Sequence, residues 1–436
     1  MTAASPIFAD HETHIRRLLD AALTAADPAR SLAAHWPAGL ASPRVRVVGG
    51  GKAALEMAAQ AAALAGDDLI GGAVSVVPDR LAALDAPPTG YDVYPAAHPL
   101  PDARNLRAAE AIAATARRAT QDDTLVVLLS GGGSAMLTRP AGDLTLEDLA
   151  AAADALMRAG APITALNAVR KHCEQLKGGG LAQLAAPARV VALILSDVVG
   201  DPLDVIASGP TAPDPTTYAD ALAVLREYRV YDALPAVARH LEAGARGDLP
   251  ETAKPGDPVF ERVTNVLIGS NRQALAAVEA EAAALGFHVA GVEAGVEGEA
   301  REVGARLGAL AKQMRAGSSL PACWLLGGET TVTVRGQGRG GRNQEIALAA
   351  ALALDGVPHA CVASFATDGI DGPTPAAGAV VTGQTAARAR ALGLDPAAML
   401  DANDSYTFFA QVGGLLTPGA TGTNVNDVMI VLAYPV

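Results

Sequence analysis

Two short apolar runs, Val45–Val48 and Thr124–Leu129, each end in three consecutive glycines. The first continues as Gly49-Gly50-Gly51-Lys52, the second as Ser130-Gly131-Gly132-Gly133-Ser134. Valine- and leucine-rich runs of this length read as strands buried on both faces, which helices must then cover. An alanine-rich helical stretch from Ala53 to about Ala65 follows the first run, and another over 103–119 precedes the second. A third run, Val190–Leu195, stops at Ser196-Asp197. The pattern predicts an α/β fold, in which ligands sit beyond the carboxyl ends of the strands. Three polar clusters in that position point to one composite site.

The alternation extends along the whole chain. A helix from about His14 leads into a proline-containing link that reaches Leu40, and strands are expected near 73–77 and 91–94. Thr145 followed by Asp148 has the logic of a capping box, and a helix over 165–176 stops at Gly178-Gly179-Gly180. The stretch from Gly244 to Pro258, rich in glycine, proline and charge, is the best linker, so two domains are expected, residues 1–250 and 251–436. Beyond it come a strand at 265–268, Ser270 as a cap, helices over 272–285 and 299–315, and strands near 289–292, 323–326, 331–334 and 361–365. An aromatic helix around 406–411 and a last strand at 428–432 close the chain.

Composition narrows the classes of function. The 436 residues carry a net charge of −13, which repels nucleic-acid backbones and anionic membranes. An anionic substrate therefore needs a locally basic pocket or a metal ion. Cys173, Cys323 and Cys361 lie far apart, which excludes a disulfide framework and a cysteine-rich zinc site. The first residues show no signal-type succession, and charged residues interrupt the alanine runs before they reach membrane-spanning length. A cytoplasmic protein is expected, with monomer and homodimer both open.

Several clusters suit anion chemistry. Gly50, Gly51 and Lys52 open a helix after a strand, where free N–H groups and the helix dipole favour negative charge. The segment is no Walker A loop, because Arg46 stands where the first glycine belongs and Ala53 replaces the metal-binding hydroxyl; a plain tight turn is the alternative. In Ser130, Gly131, Gly132, Gly133 and Ser134 an oxyanion can reach several bare amides, with two hydroxyls beside them. Asn167, Arg170 and Lys171 share a helix and could address an anionic substrate, or form a solvated basic face. Asp197, with Asp201 and Asp204 nearby, is the first choice to hold magnesium or orient a hydroxyl. Ser208-Gly209-Pro210-Thr211 offers a rigid polar loop. In the second half, Gly340, Gly341 and Arg342 place a guanidinium fork at a helix start, and Glu329 or Asp368 could hold magnesium or its waters. Among eight histidines only His98 and His172 are site candidates, and minor ones.

The ordered series of motifs resembles the glycerate 2-kinase family, the bacterial and archaeal type with a family-specific C-terminal domain. The matching stretches run from Val48-Gly-Gly-Gly-Lys-Ala53 and Leu129-Ser-Gly-Gly-Gly-Ser134 through Leu166-Asn-Ala-Val-Arg-Lys-His172, Leu195-Ser-Asp197 and Ile206-Ala-Ser-Gly-Pro-Thr211. They continue with Gly327-Gly-Glu-Thr330, Gly340-Gly-Arg-Asn-Gln-Glu345, Thr367-Asp-Gly369 and Thr423-Asn-Val-Asn-Asp427. The resemblance implies a larger Rossmann-like domain, a smaller α/β domain and an active-site cleft between them. It also implies phosphorylation of D-glycerate by ATP and Mg2+ to 2-phospho-D-glycerate and ADP. Lys52 and Arg342 match the family's principal basic residues. Lys52 would serve the transferring phosphate or the glycerate carboxylate, and Arg342 the charge that develops during transfer. Alanine at either position is expected to abolish most turnover without affecting folding. Family members also carry the name hydroxypyruvate reductase, an NAD(P)H enzyme of a neighbouring step in tartrate breakdown. That alternative class calls for a dinucleotide-binding turn, which is not evident here.

Overall fold

The computed structural model describes residues 5–37, 44–82, 89–317 and 319–435. The chain forms two compact units, one of residues 28–268 and one of residues 1–27 with 269–436. The proline link expected to reach Leu40 ends among residues 38–43, outside the described residues.

The first unit is built on a six-stranded sheet: β1 (Val45–Gly50), β2 (Leu69–Val76), β3 (Asp92–Pro95), β4 (Thr124–Leu129), β5 (Arg189–Leu195) and β6 (Val263–Gly269). Their order is β3-β2-β1-β4-β5-β6, and the pairs from β3 through β5 are parallel. This is the Rossmann order. The chain winds outward from β1 in one direction and restarts at β4 in the other, so a crevice opens where those two strands adjoin. Both triple-glycine loops leave the sheet there. β4 is buried throughout and β5 nearly so, as expected for strands covered on both faces. Ile112, Val127, Leu181 and Ile194 belong to one core cluster, each contributing about 1.5–3 kcal/mol by its burial.

Helices Leu146–Arg158, Ile163–His172, Tyr218–Glu227 and Pro235–Ala245 gather around Leu156, Val169, Leu225 and Leu241 in a second core of this unit. The glycine- and proline-rich stretch 244–258 is bound into the same unit. Asp214 N–H donates to Ala253 O (2.8 Å) and Ala253 N–H to Gly178 O (3.2 Å), while Glu251 accepts from Tyr218 N–H (3.0 Å). Polar residues that suggest a solvated link are satisfied internally, so the first unit runs on to Ile268, past the expected boundary at 250.

The second unit holds a mixed sheet of β7 (His288–Val296), β8 (Ala322–Gly328), β9 (Ala360–Ala366), β10 (Gly378–Thr382), β11 (Leu415–Leu416) and β12 (Asp427–Ala433), ordered β11-β10-β9-β12-β8-β7. β12 lies antiparallel between β8 and β9. The expected strand at 331–334 reduces to a single bridge from Thr331 to Glu299. Helices Ala300–Gly317 and Arg342–Ala353 pack together. A Cβ at Gly304 would overlap the carbonyl of Ile346. Small residues here are a condition of close helix approach, which accounts for part of the alanine excess. The N-terminal helix His11–Ala25 belongs to this unit: His14 Nδ1 bonds the Tyr434 hydroxyl (3.0 Å), and Thr423 Oγ1 donates to Ala26 O (2.6 Å). Among the described residues no helix is long and apolar enough to cross a membrane.

Candidate active site

The two glycine loops at the β1/β4 crevice are laced together. Lys52 N–H donates to Gly131 O (2.8 Å), Ala53 N–H to Ser130 Oγ (3.1 Å) and Ser130 N–H to Gly50 O (3.4 Å). This fixes the second loop and leaves the amides of Gly131, Gly132 and Ser134 without a partner among the described residues. Gly132 sits at φ +82°, in the left-handed region where glycine carries no penalty. Successive N–H groups in a turn at the carboxyl end of a strand form an anion cradle.

Side chains from four further segments surround it. Asp197, just past β5, packs so closely on Gly131 that a Cβ there would overlap its carboxylate. His98, beyond β3, lies against Gly132, as does the Lys52 side chain. Burial first, and the charge of Lys52 second, hold the His98 imidazole below its ordinary pKa and therefore neutral. A hydrogen-bond chain closes one flank: Ser134 Oγ to Ser208 Oγ (2.9 Å), Ser208 Oγ to Asn167 Oδ1 (3.2 Å) and Arg170 Nη1 to the same Asn167 oxygen (3.2 Å). The turn carrying Ser208 is strained, with Ala207 at φ +49° and Ser208 at φ +62°, at about 1–3 kcal/mol each. The structure thus brings together Gly50, Gly51, Lys52, the loop from Ser130 to Ser134, Asn167, Arg170 and Asp197.

Lys171 is engaged elsewhere. Its ammonium is buried and pairs with Asp204 (3.0 Å) and Asp214 (3.4 Å), pinning the 204–214 loop to helix Ile163–His172. Neighbouring His172 bonds Ala168 O (2.7 Å) and Glu251 (3.2 Å). Lys171 and His172 therefore support the loop, whereas Arg170 points to Asn167. His98 is placed at the cradle more firmly than its sequence suggests. The available signal was that it, too, follows a strand of the same sheet.

In the second unit, Arg342 is the first residue of helix Arg342–Ala353 and grips Asp427 with two nitrogens, Nε to Oδ2 (2.6 Å) and Nη2 to Oδ1 (3.0 Å). Its Nη1 donates to Glu329 (2.8 Å). Asp427 is fully buried, and burial pushes its carboxyl up to about 6 against the opposing pull of Arg342. Asp371 caps the helix by accepting from the amides of Asn343 (3.1 Å) and Gln344 (2.9 Å). Gly340 and Gly341 are closely packed, since added Cβ atoms would overlap Ser405 and Asp371. Glu345, also part of the quoted motif, is buried against Arg301 (3.1 Å) and Asn403 (2.9 Å). Asp368 accepts from Ile370 N–H within its own turn (3.0 Å). Among the described residues no group of three or more histidines, cysteines or carboxylates is arranged to hold a metal ion.

A Rossmann-ordered sheet with an amide cradle, a lysine and a carboxylate at its switch point defines an anion-handling α/β protein. The family comparison is more specific. Residues 14–242 match the model described as domain of unknown function (DUF4147), and residues 322–427 match the MOFRL family. The chain belongs to the glycerate 2-kinase family that joins these two domains. It is 39% identical over 393 residues to the D-glycerate 2-kinase of Thermotoga maritima, covering 89% of this chain and 90% of that one. It is 41% identical over 426 residues to a putative hydroxypyruvate reductase of Agrobacterium vitis, covering 96% and 93%. The crystal structure of the Thermotoga maritima glycerate kinase superposes with a TM-score of 0.90 at 38% identity, over 98% of this chain and all of the other.

Proposed function

We propose that this chain transfers the terminal phosphoryl group of ATP to the C2 hydroxyl of D-glycerate, giving 2-phospho-D-glycerate and ADP. The observation that carries the reading is the cradle at the β1/β4 switch point, where three amides with no partner among the described residues lie beside Lys52 and Asp197 in a chain whose relatives include glycerate 2-kinases.

The amides of Gly131, Gly132 and Ser134 take phosphate oxygens, with Lys52 as the mobile cation beside them. Arg170, oriented by Asn167, holds the glycerate carboxylate. The C2 oxygen attacks the terminal phosphorus in line. A new P–O bond forms as the bond to the ADP oxygen breaks, and the hydroxyl proton passes to solvent water in the same step. Arg342 is our candidate for the charge that develops during transfer. A single carboxylate beside an amide-rich loop suits Mg2+, which keeps several waters and takes phosphate ligands; Asp197 would hold it, and the ion would neutralise phosphate charge. Glu329 and Asp368 are bonded within their own unit, to Arg342 and to Ile370; Asp197 is our choice because its carboxylate packs directly on Gly131 of the cradle.

The name of the Agrobacterium vitis relative makes hydride transfer the alternative. Against it, the turn after β1 reads Gly49-Gly50-Gly51-Lys52 and lacks GxGxxG spacing. Two assays on one preparation separate the readings: ADP release with D-glycerate and MgATP, and NADH oxidation with hydroxypyruvate. ADP release alone supports the kinase; NADH oxidation alone overturns it.

A further inference from the structure

Within the first unit, a cavity of about 440 Å³ opens beside the amide cradle, between helices Leu146–Arg158 and Ile163–His172. Its inner end is formed by Gly132, Ser134 and His98, with Arg170 at the edge. Farther out the lining turns apolar, with Leu149, Ala153 and Met157 on one helix and Leu166 and Val169 on the other. Met157 is 56% exposed and Leu100, at the lip, 71%, so two large apolar side chains are held in water at the mouth.

The volume lies within the roughly 300–1,000 Å³ of pockets for drug-sized ligands. A three-carbon hydroxy acid would leave most of it empty, and its hydroxyls would find few partners on those walls. A flat heterocycle with a sugar suits them, and only a molecule that is apolar at one end and polyanionic at the other uses both the walls and the cradle. We propose that this cavity seats the adenine and ribose of ATP, with the triphosphate running inward to the amides of Gly131, Gly132 and Ser134. The inference rests on the kinase reading and adds to it where the nucleotide lies.

The polar groups of the lining carry a second consequence. Thr138 Oγ1 already donates to Ser134 O (3.1 Å), and Glu174 accepts from Arg139 N–H (3.3 Å) and pairs with Lys177. Burial pushes the Cys173 thiol far up, keeping it neutral. Few groups remain to read the hydrogen-bonding edge of a base, so the pocket selects by shape and apolar contact. Discrimination of that kind is weak, and GTP is expected to serve within about tenfold of ATP in kcat/KM.

Ala153→Phe fills the pocket, and Met157→Ala removes an exposed wall without touching the core. With wild-type unfolding temperatures as the check on folding, Ala153→Phe should raise KM for ATP about tenfold or more and Met157→Ala several-fold. KM for D-glycerate and inhibition by inorganic tripolyphosphate, which occupies only the cradle, should stay within about twofold. Should Ala153→Phe not fold, Met157→Ala and photolabelling of the wild type with 8-azido-ATP decide, with label expected on 98–101 or 146–173. Unchanged KM for ATP in the folded variants, or label confined to residues beyond 268, overturns the nucleoside pocket while the kinase reading stands. Wild-type protein that forms no phosphoglycerate overturns both.

Discussion

Replacing Arg342 by alanine tests the second unit most sharply, and its effect depends on pH. The substitution strips both oxygens of Asp427, which is 0% exposed, of their guanidinium partner. An ionised carboxylate left buried and unpaired costs about 3–5 kcal/mol, or roughly 6–20 °C in unfolding temperature at about 2–4 °C per kcal/mol. In the wild type, burial already raises the Asp427 pKa from 3.8 to about 6. A group bound more tightly to its proton in the folded state stabilises fully below its unfolded pKa, and that stabilisation is lost as pH rises through the folded pKa. Without Arg342 the folded pKa climbs further, so keeping the acid neutral costs the variant little at pH 5, whereas at pH 8 the proton must be taken up against the solution or the charge left buried. Thermal unfolding of wild type and variant at the two pH values should show the full loss at pH 8. At pH 5 only about 1–2 kcal/mol should remain, from the missing hydrogen bonds. A loss equal at both pH values, or none at pH 8, would refute the reasoning. The expectation that this variant folds as well as wild type is thereby corrected: Arg342 is part of a buried ion pair, and lost turnover alone cannot assign it to chemistry.

Lys52→Ala is the cleaner probe, because the bond by which Lys52 ties the two glycine loops together, to Gly131 O, comes from its main chain. Its kcat/KM should fall about 10²–10³-fold while the unfolding temperature moves by less than about 2 °C. Gly131→Ala forces the Asp197 carboxylate aside; steady-state kinetics should show kcat lowered about 10–100-fold and a raised Mg2+ requirement, and wild-type values would remove Asp197 from the site. In helix Ala300–Gly317, Gly304→Ala gains about 1 kcal/mol of helix propensity and loses more by overlapping the Ile346 carbonyl, so overpacking of about 1–3 kcal/mol wins. Gly317→Ala in the same helix meets nothing within 4 Å, and urea unfolding should find it neutral or stabilising.

The first sheet was legible because its strands are short, continuous and punctuated by glycine: Val45–Val48 and Thr124–Leu129 announce themselves, and so do the loops that follow them. Their adjacency was not legible. That β1 and β4 are neighbours follows from the strand order, which no local pattern encodes. The short strands β10 and β11 left no periodicity, and the polar run at 331–334 imitated a strand without forming one. Strand-end placement picked out Lys52, Ser130 and Asp197, which the fold places side by side. Helical spacing alone could not separate Arg170 from Lys171, although one reaches Asn167 at the cradle and the other a buried carboxylate. Gly340 and Gly341 look like an anion loop in sequence, yet steric contact with Ser405 and Asp371 suffices to require them.

The central claim, transfer of phosphate to the C2 hydroxyl of D-glycerate, is tested most directly by phosphorus NMR of the product formed from D-glycerate and MgATP with no nicotinamide cofactor. A new phosphomonoester split into a doublet by the single proton on C2 is expected from the wild type, and nearly none from Lys52→Ala. A triplet from the two protons on C3 would contradict the site of transfer, and folded protein that yields neither ADP nor phosphoester would contradict the kinase itself.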